Sequence, residues 1–218
     1  MLLSIIVTHY KALEMLRLCL ESVKKAAAGL ESEIIVIDSA SEEETRDLMR
    51  DEFSEVKLRS FEKNVGYAKL VNRGIEAAAG EYLMVLNHDM VLLPNSLKRM
   101  IDYMKNNPSA GVLGPQLLNF NGLVQESCFR FYTPWTVIYR RTFLGKTKKG
   151  IREQARFSMK DFDHQSAREV DWMLGTALML RREALEKVGL MDERFFMYFE
   201  DVDWCRRFWL VGYKVIYF

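Results

Sequence analysis

The sequence predicts an α/β fold, a mainly parallel central sheet flanked by helices, and three observations carry that expectation. Short apolar runs of strand length alternate with helix-period segments through the first ninety residues. The runs are apolar throughout, the pattern of strands buried on both faces. Three of them end in polar segments, Thr8-His9-Tyr10, Asp38-Ser39-Ala40-Ser41 and Asn87-His88-Asp89, at the carboxyl ends where such sheets bind ligands.

Residues 2–7 read as a buried first strand, because the run lacks a basic start and stops too soon for a signal segment or a membrane span. Residues 13–28 place apolar side chains at helical spacing, and 33–38 is rich in β-branched residues, which completes a βαβ unit. A helix over 42–52 follows, with Ser41 and Glu44 at the spacing of a capping box. A short strand at 56–60, a helix at 67–79 and a strand at 82–86 complete a nucleotide-binding type of α/β half.

Pro94 opens a helix over 94–106, and residues 111–130 mix short strands with turns at Gly114-Pro115 and Asn121-Gly122. Between 139 and 169 the chain is polar and basic, with Arg140, Arg141, Lys146, Lys148, Lys149 and Arg152 around Phe143-Leu144 and no strand pattern. That segment is either a mobile loop or an amphipathic surface piece. Order returns with Val170–Gly175, an apolar run at 177–180, a helix at 182–188 and a last helix at about 199–210. Residues 212–218 begin a strand with no closing turn, so the natural protein is expected to continue past Phe218.

Composition removes several classes of function. With 31 basic against 30 acidic residues, bulk charge offers nucleic acid no attraction. Cys19, Cys128 and Cys205 are an odd number without paired spacing and read as buried thiols in a reducing compartment. His9, His88 and His164 lack zinc-ligand spacing, and the chain has no P-loop, no Gly-x-Ser-x-Gly elbow and no Gly-x-Gly-x-x-Gly after its first strand.

Several residues could carry chemistry. Asp89, beyond an apolar strand beside Asn87 and His88, could bind a divalent metal that also touches a diphosphate, or could simply begin a turn. Asp38 could accept hydrogen bonds from a base or ribose, and the Ser41–Glu44 spacing frees it from capping duty. Asn64, Gly66 and Lys69 precede a helix, where a glycine permits close approach and a helix start favours phosphate; an ordinary turn and a solvated lysine explain them equally well. In Phe195–Arg207, Glu200, Asp201 and Asp203 interrupt an aromatic run. Apolar surroundings would raise a carboxyl pKa and suit a general base, whereas capping with pairing to Arg206 or Arg207 needs only one or two of the three acids. Asp171 and Trp172 offer a carboxylate and an aromatic face to a sugar or hydroxyl acceptor, although Trp172 could equally be core.

Six motifs in order, Ser4–Tyr10, Val36–Ser41, Asn64–Ala68 with Asn72 and Gly74, Leu86–Asp89, Val170–Trp172 with Gly175, and Phe199–Asp203, resemble family 2 inverting glycosyltransferases with a GT-A fold, particularly the rhamnosyltransferase-like branch. The resemblance covers nearly the whole chain. It implies a single catalytic domain in which 1–90 hold the nucleotide and 91–218 face the acceptor. Thr8, Tyr10 and Asp38 would hold base and ribose, Asn64, Gly66, Lys69 and Asn87 would line the nucleotide, and Asp89 would bind Mg²⁺ or Mn²⁺ under the diphosphate. Asp201, with Glu200 beside it, would be the catalytic base, and Asp171 and Trp172 would meet the acceptor.

Two departures stand out. His88 sits where many relatives carry an acid or proline, so it would meet the nucleotide through its ring. The histidine-bearing segment that follows Gly-Tyr-Lys-Val in relatives is absent. The implied partners are a UDP-, dTDP- or GDP-sugar and a saccharide or lipid-linked acceptor, with no nucleic acid. The expected location is cytoplasmic, peripheral on the inner face of the membrane through the basic 139–152 segment. A nucleotidyltransferase would begin with a glycine-rich basic loop that Thr8–Lys11 lacks, and a non-catalytic binding module would have no need of Asp89 and Asp201 together.

Overall fold

A computed structural model describes residues 1–218. The opening apolar run forms β1 (Leu3–Tyr10), buried up to its last residue, and the first helix α1 (Leu13–Ala26) returns the chain to β2 (Ser32–Ser39). Leu16, Cys19, Leu20 and Val23, spaced three and four apart, form the buried stripe that seats α1 on the sheet. Then come α2 (Glu43–Glu52), β3 (Lys57–Phe61), α3 (Tyr67–Ala77), β4 (Tyr82–Asn87), α4 (Ser96–Asn106) and β5 (Ala110–Gly114).

The second half has shorter pieces. β6 (Cys128–Phe129) leads into α5 (Pro134–Arg141), a 3₁₀ turn at Phe143–Lys146 and α6 (Lys148–Phe157). β7 (Arg168–Glu169), β8 (Trp172–Met173), β9 (Ala177–Arg181), α7 (Arg182–Val188), α8 (Glu200–Leu210) and β10 (Lys214–Tyr217) complete the chain.

Eight strands share one sheet in the order β3-β2-β1-β4-β9-β5-β10-β7. Pairing is parallel from β3 through β4 and between β5 and β10, whereas β9 and β7 run the other way, so the sheet is mainly parallel as expected. Because successive residues of a strand face opposite sides, β1 feeds two cores: Leu3, Ile5 and Val7 join α1, α2 and α4, and Ile6 joins α3, α7 and α8. Gly74 lets α3 lie on β1, since a Cβ there would collide with the Ile6 side chain. Cys19, Cys128 and Cys205 are all buried free thiols.

One local expectation is corrected, and of the two readings of 139–169 the amphipathic surface piece holds over the mobile loop. Ser41 and Glu44 form no capping box: Glu42 is the N-cap of α2 without a side-chain bond, and Ser41 instead accepts from Arg46 at 3.4 Å. The 139–169 region is no loose loop. Its first part is a helical hairpin, because Thr133 and Thr136 cap α5 reciprocally and Thr147 caps α6, signals that a basic composition masks.

Candidate functional site

The carboxyl ends of β1, β2 and β4 lie side by side, and register fixes what meets there: His9 stands opposite Asp38, and Thr8 opposite Asn87. Asp38 is 1% exposed, and its Oδ1 lies 2.8 Å from His9 Nδ1. The Ala12 amide donates to His9 Nε2 at 3.1 Å, so the ring proton lies on Nδ1 and is donated to Asp38. The other carboxylate oxygen, Asp38 Oδ2, is buried with no partner, an arrangement that costs free energy unless a ligand supplies a donor.

Thr8 Oγ1 donates to Asn87 Oδ1 at 3.1 Å, and the Thr8 carbonyl accepts from both the His88 amide and His88 Nδ1 at 3.1 Å. That leaves His88 Nε2 as the ring's free acceptor. Burial, with His9 edge-on at 5.1 Å, pushes the His88 pKa down and so favours the neutral ring. Tyr10 is exposed at the rim. Lys11 (φ 51°) and Ala40 (φ 54°), directly after β1 and β2, hold left-handed backbone that non-glycine residues rarely adopt.

Asn64, Gly66 and Lys69 shape the next wall. Asn64 Oδ1 accepts from the Gly66 amide at 3.1 Å, and Ser39 Oγ accepts from the Val65 amide at 3.3 Å, which docks the loop on β2. Gly66 has φ 83°, and a Cβ there would lie 2.7 Å from the Phe196 carbonyl oxygen. The close approach that requires this glycine is therefore to the chain's own Phe196, whose carbonyl also accepts from the Tyr67 amide at 2.9 Å.

Tyr67 ties the two halves together. Its hydroxyl donates to the Gly175 carbonyl, and the Gly175 amide donates to Asp201 Oδ2 at 3.1 Å. Burial raises the Tyr67 pKa, and the negative charges of Asp201, Glu200 and Asp89 add to it in that order. Asp89, exposed in the turn after β4, thus shares one neighbourhood with Asp201 at the start of α8.

Asp201 Oδ1 accepts from the Val202 amide at 2.8 Å; burial nevertheless raises its pKa, and these amide bonds offset only part of the shift. Glu200 is raised by burial and by the charge of Asp201, and its Oε2 is buried without a partner. Asp203 is structural, paired with Arg207 at 2.8 Å one turn on. Tyr198 and Phe199, both at φ 71°, set the sharp entry into α8 and leave Phe196–Phe199 exposed beside the acids.

No set of three His, Cys, Asp or Glu side chains gathers into a metal cage. A single carboxylate in reach of a diphosphate is nonetheless the donor set Mg²⁺ commonly uses, with phosphate and water supplying the rest. Asp89 fits that description, and His88 Nε2 is the neighbouring free nitrogen.

Asp171 and Trp172, expected to face the acceptor, both contact the chain's own residues. Trp172 is 5% exposed, stacks on Phe129 at 4.6 Å and donates to the Arg130 carbonyl, so it is core. Asp171 spends both oxygens on the segment beside it, accepting from Arg130 Nη1 at 3.2 Å and from the Phe131 amide at 2.7 Å.

Residues 4–189 match the model of Glycosyl transferase family 2. The chain belongs to that family. It is 28% identical over 84% of its length to an N-acetylglucosaminyl-diphospho-decaprenol L-rhamnosyltransferase of Mycobacterium tuberculosis, and 24% identical over 94% to the dTDP-rhamnosyl transferase RfbF of Shigella flexneri. It spans 63% and 61% of those relatives, just under two thirds of each. Among solved structures it superposes over its full length on S. aureus TarS, covering 58% of that chain (TM-score 0.67, 17% identity). It also matches the mannosyltransferase PcManGT of Pyrobaculum calidifontis, solved with GDP-Man and Mn²⁺, over 98% of itself and 53% of that chain (TM-score 0.63, 16% identity). These likenesses show the fold, which is GT-A as expected.

Within this family 2 framework, sequence reasoning passed over His9 and Tyr67. His9 stands one residue before the end of β1 and Asp38 one before the end of β2, so equal offsets in two parallel strands signalled the pair. Nothing in the sequence marks Tyr67, whose part depends on a contact to Gly175, 108 residues away.

Proposed function

We propose that this chain is the donor-binding and catalytic part of an inverting glycosyltransferase, moving a sugar from a nucleotide diphosphate sugar to a hydroxyl acceptor. The observation that carries the proposal is that Asp89 and Asp201, from opposite halves of the chain, both act on Tyr67 through their charge, and that Asp201, bonded to the Gly175 amide, is itself raised by burial. Residues 1–90 form the nucleotide half and 91–218 the acceptor half of one domain. In the nucleotide half, Asp38 Oδ2 accepts an N–H of the base, a role consistent with its burial and lack of a partner. Thr8, Tyr10, Asn64, Asn87 and His88 line the nucleotide. Lys69, in the first turn of α3, faces its phosphates, and Gly66 holds the loop shape.

Asp201 takes the proton of the acceptor hydroxyl as that oxygen bonds to the anomeric carbon. The bond from this carbon to the diphosphate oxygen breaks on the opposite face, the diphosphate leaves with the electron pair, and the configuration inverts. A raised pKa brings the base closer to operating pH and strengthens it as a proton acceptor, as general-base catalysis needs. Glu200, whose own pKa is raised by burial and by the charge of Asp201, is the acid beside it. Asp89 would hold Mg²⁺ or Mn²⁺, which supplies charge stabilisation to the leaving diphosphate.

Two relatives are named rhamnosyltransferases, one for a decaprenol-linked substrate, so dTDP-rhamnose and a polyprenyl-diphosphate sugar are the donor and acceptor to try first. The deciding experiment is calorimetric titration of the chain with UDP, dTDP and GDP, with and without Mn²⁺, beside Asp89→Ala. The expected result is metal-enhanced binding of one nucleotide that the substitution removes. Equal binding of all three by both proteins, indifferent to metal, would overturn the assignment.

A further inference from the structure

The helical hairpin of α5, the 3₁₀ turn and α6, residues 134–157, is built inside out. Its interior is polar: Thr136, fully buried, donates to Glu153 at 2.5 Å, Thr133 donates to the same oxygen at 3.0 Å, and Arg156 pairs with Glu153 at 2.7 Å. This lock holds the Glu153 pKa down to about 2, Arg156 contributing most. Gly145 and Gly150 let the turn and α6 meet backbone to backbone, since a Cβ on Gly150 would lie 2.5 Å from the Leu144 carbonyl oxygen. The hairpin is therefore closely packed against itself.

Large apolar side chains point outward instead. Phe143 at the tip is 81% exposed, Trp135 61% and Ile151 59%, with Val137, Ile138 and Leu144 exposed beside them. A hairpin meant to face water would bury these and expose the threonines.

Charge gives the partner. Residues 134–157 hold seven Lys and Arg against one Glu, a net of +6 in a chain of net +1, so the rest of the protein sums to −5. The single Glu is spent on Arg156, and Arg140 lies over the Phe157 ring at 4.7 Å. Arg141, Lys146, Lys148, Lys149 and Arg152 form no ion pair with Glu153, the one acid of the hairpin. Between the helices a shallow cleft of about 500 Å³ brings Trp135 and Tyr139 together with Lys149 and Arg152. Aromatic side chains beside cations, around a protruding phenylalanine, are the pattern of a surface that seats in an anionic bilayer interface.

We infer that the 134–157 hairpin docks the protein on an anionic phospholipid surface, Phe143 and its apolar neighbours entering the headgroup layer and the five free cations pairing with lipid phosphate. No helix of the chain is long and apolar enough to cross a membrane, so this attachment is interfacial. Its root adjoins the acids. Tyr132, just before the α5 cap, packs on Phe199 at 5.4 Å, and Phe199 precedes Glu200 and Asp201. On the proposed glycosyl-transfer reading, the hairpin would bring a lipid-borne acceptor to Asp201; the docking itself stands without that reading.

The test is sedimentation of the purified chain with vesicles of phosphatidylcholine alone or mixed with phosphatidylglycerol. The expected result is binding to the mixed vesicles only, lost at high salt and weakened about tenfold or more by Phe143→Ser with Ile151→Ser, and separately by Lys146→Glu with Lys148→Glu and Lys149→Glu. Thermal melting and nucleotide titration of the same samples report whether each variant is folded and whether the donor site stands. Failure of the wild-type chain to bind the anionic vesicles would overturn the inference, as would binding that survives both sets of substitutions. Self-association abolished by Phe143→Ser would also overturn it, assigning the face to a second copy.

Discussion

β2 carries two buried carboxylates five residues apart, and they meet opposite fates. At the amino end, Glu33 Oε1 accepts from Ser4 at 2.6 Å and the Ala79 amide at 2.8 Å, and Oε2 accepts from Lys57 at 2.7 Å. Burial pushes its pKa up, but the bonds from Lys57, Ser4 and Ala79 outweigh that and hold it below the usual carboxylate range. At the carboxyl end, Asp38 has one oxygen on His9 and the other on nothing. The same residue class on the same strand is saturated at one end and left short of a donor at the other, the end proposed to meet the nucleotide. The left-handed Lys11 and Ala40 mark the same end, and the helix start carrying Asp201 follows two more left-handed residues, Tyr198 and Phe199. At the carboxyl ends of β1 and β2, an unpaired buried oxygen and left-handed backbone thus occur together, although each also occurs singly elsewhere, as at Ser127 and Asn95.

The largest test of this division is Asp201→Asn. The asparagine keeps one of the two amide contacts but cannot take a proton, so kcat for sugar transfer should fall by about 10²- to 10⁴-fold with only a small drop in melting temperature. For the wild-type chain, the rate should decline on acidification earlier than an ordinary aspartate would allow, because burial raises this group. A steady-state rate and a melt on each protein decide it; a variant at wild-type rate would remove Asp201 from the chemistry.

Next in size is Trp172→Ala, which separates core from site within residues 91–218. Loss of a ring stacked on Phe129 should cost about 3–5 kcal/mol in denaturant unfolding. A variant of unchanged stability with poor acceptor binding would return Trp172 to the acceptor-facing role.

The paired substitutions Glu33→Gln and Asp38→Asn address the comparison directly. Glu33→Gln should lose about 1.5–3 kcal/mol of stability and leave nucleotide titration unchanged. Its folded pKa is depressed, so the stabilisation it gives is present at neutral pH and lost as pH falls through that depressed value; wild type and variant should converge in acid. Asp38→Asn should do the reverse, weakening nucleotide binding by about tenfold or more with under about 1 kcal/mol of stability change. Equal behaviour of the two would dissolve the distinction between the edges.

Much of this was legible in the sequence, for reasons that also explain what was not. Strands buried on both faces declare themselves by unbroken apolar runs such as Ile34–Ile37, and polar residues just past them mark the ligand edge, so the placement of Asp38, Asn87 and Asp89 followed. Trp172 was ambiguous because an aromatic beside a carboxylate reads the same on either face of a two-residue strand. The 134–157 hairpin hid behind its charge: its caps are threonines inside a basic tract, and its apolar residues follow no inward stripe because they point outward. Pairings such as Tyr67 with Gly175 depend on β9 entering the sheet next to β4, a topological fact that local pattern does not carry.

The smallest predicted effect probes whether strain at the ligand edge is held for function. Glu200 is 6% exposed, and its folded pKa is raised by burial and by Asp201. A raised carboxylate contributes stability below its unfolded pKa and loses it as pH climbs through the folded value, so at neutral pH the ionised side chain is a burden on the fold. Glu200→Gln should therefore stabilise the chain by about 0.5–1 kcal/mol at neutral pH, an advantage that disappears in acid, while lowering kcat and shifting the acid limb of its pH profile downward as Asp201 loses a neighbouring negative charge. Melting curves and pH–rate profiles on one preparation read both effects. A variant that gains stability with an unmoved profile would make Glu200 a tolerated defect, whereas joint movement would show that the fold gives up stability here to set the base.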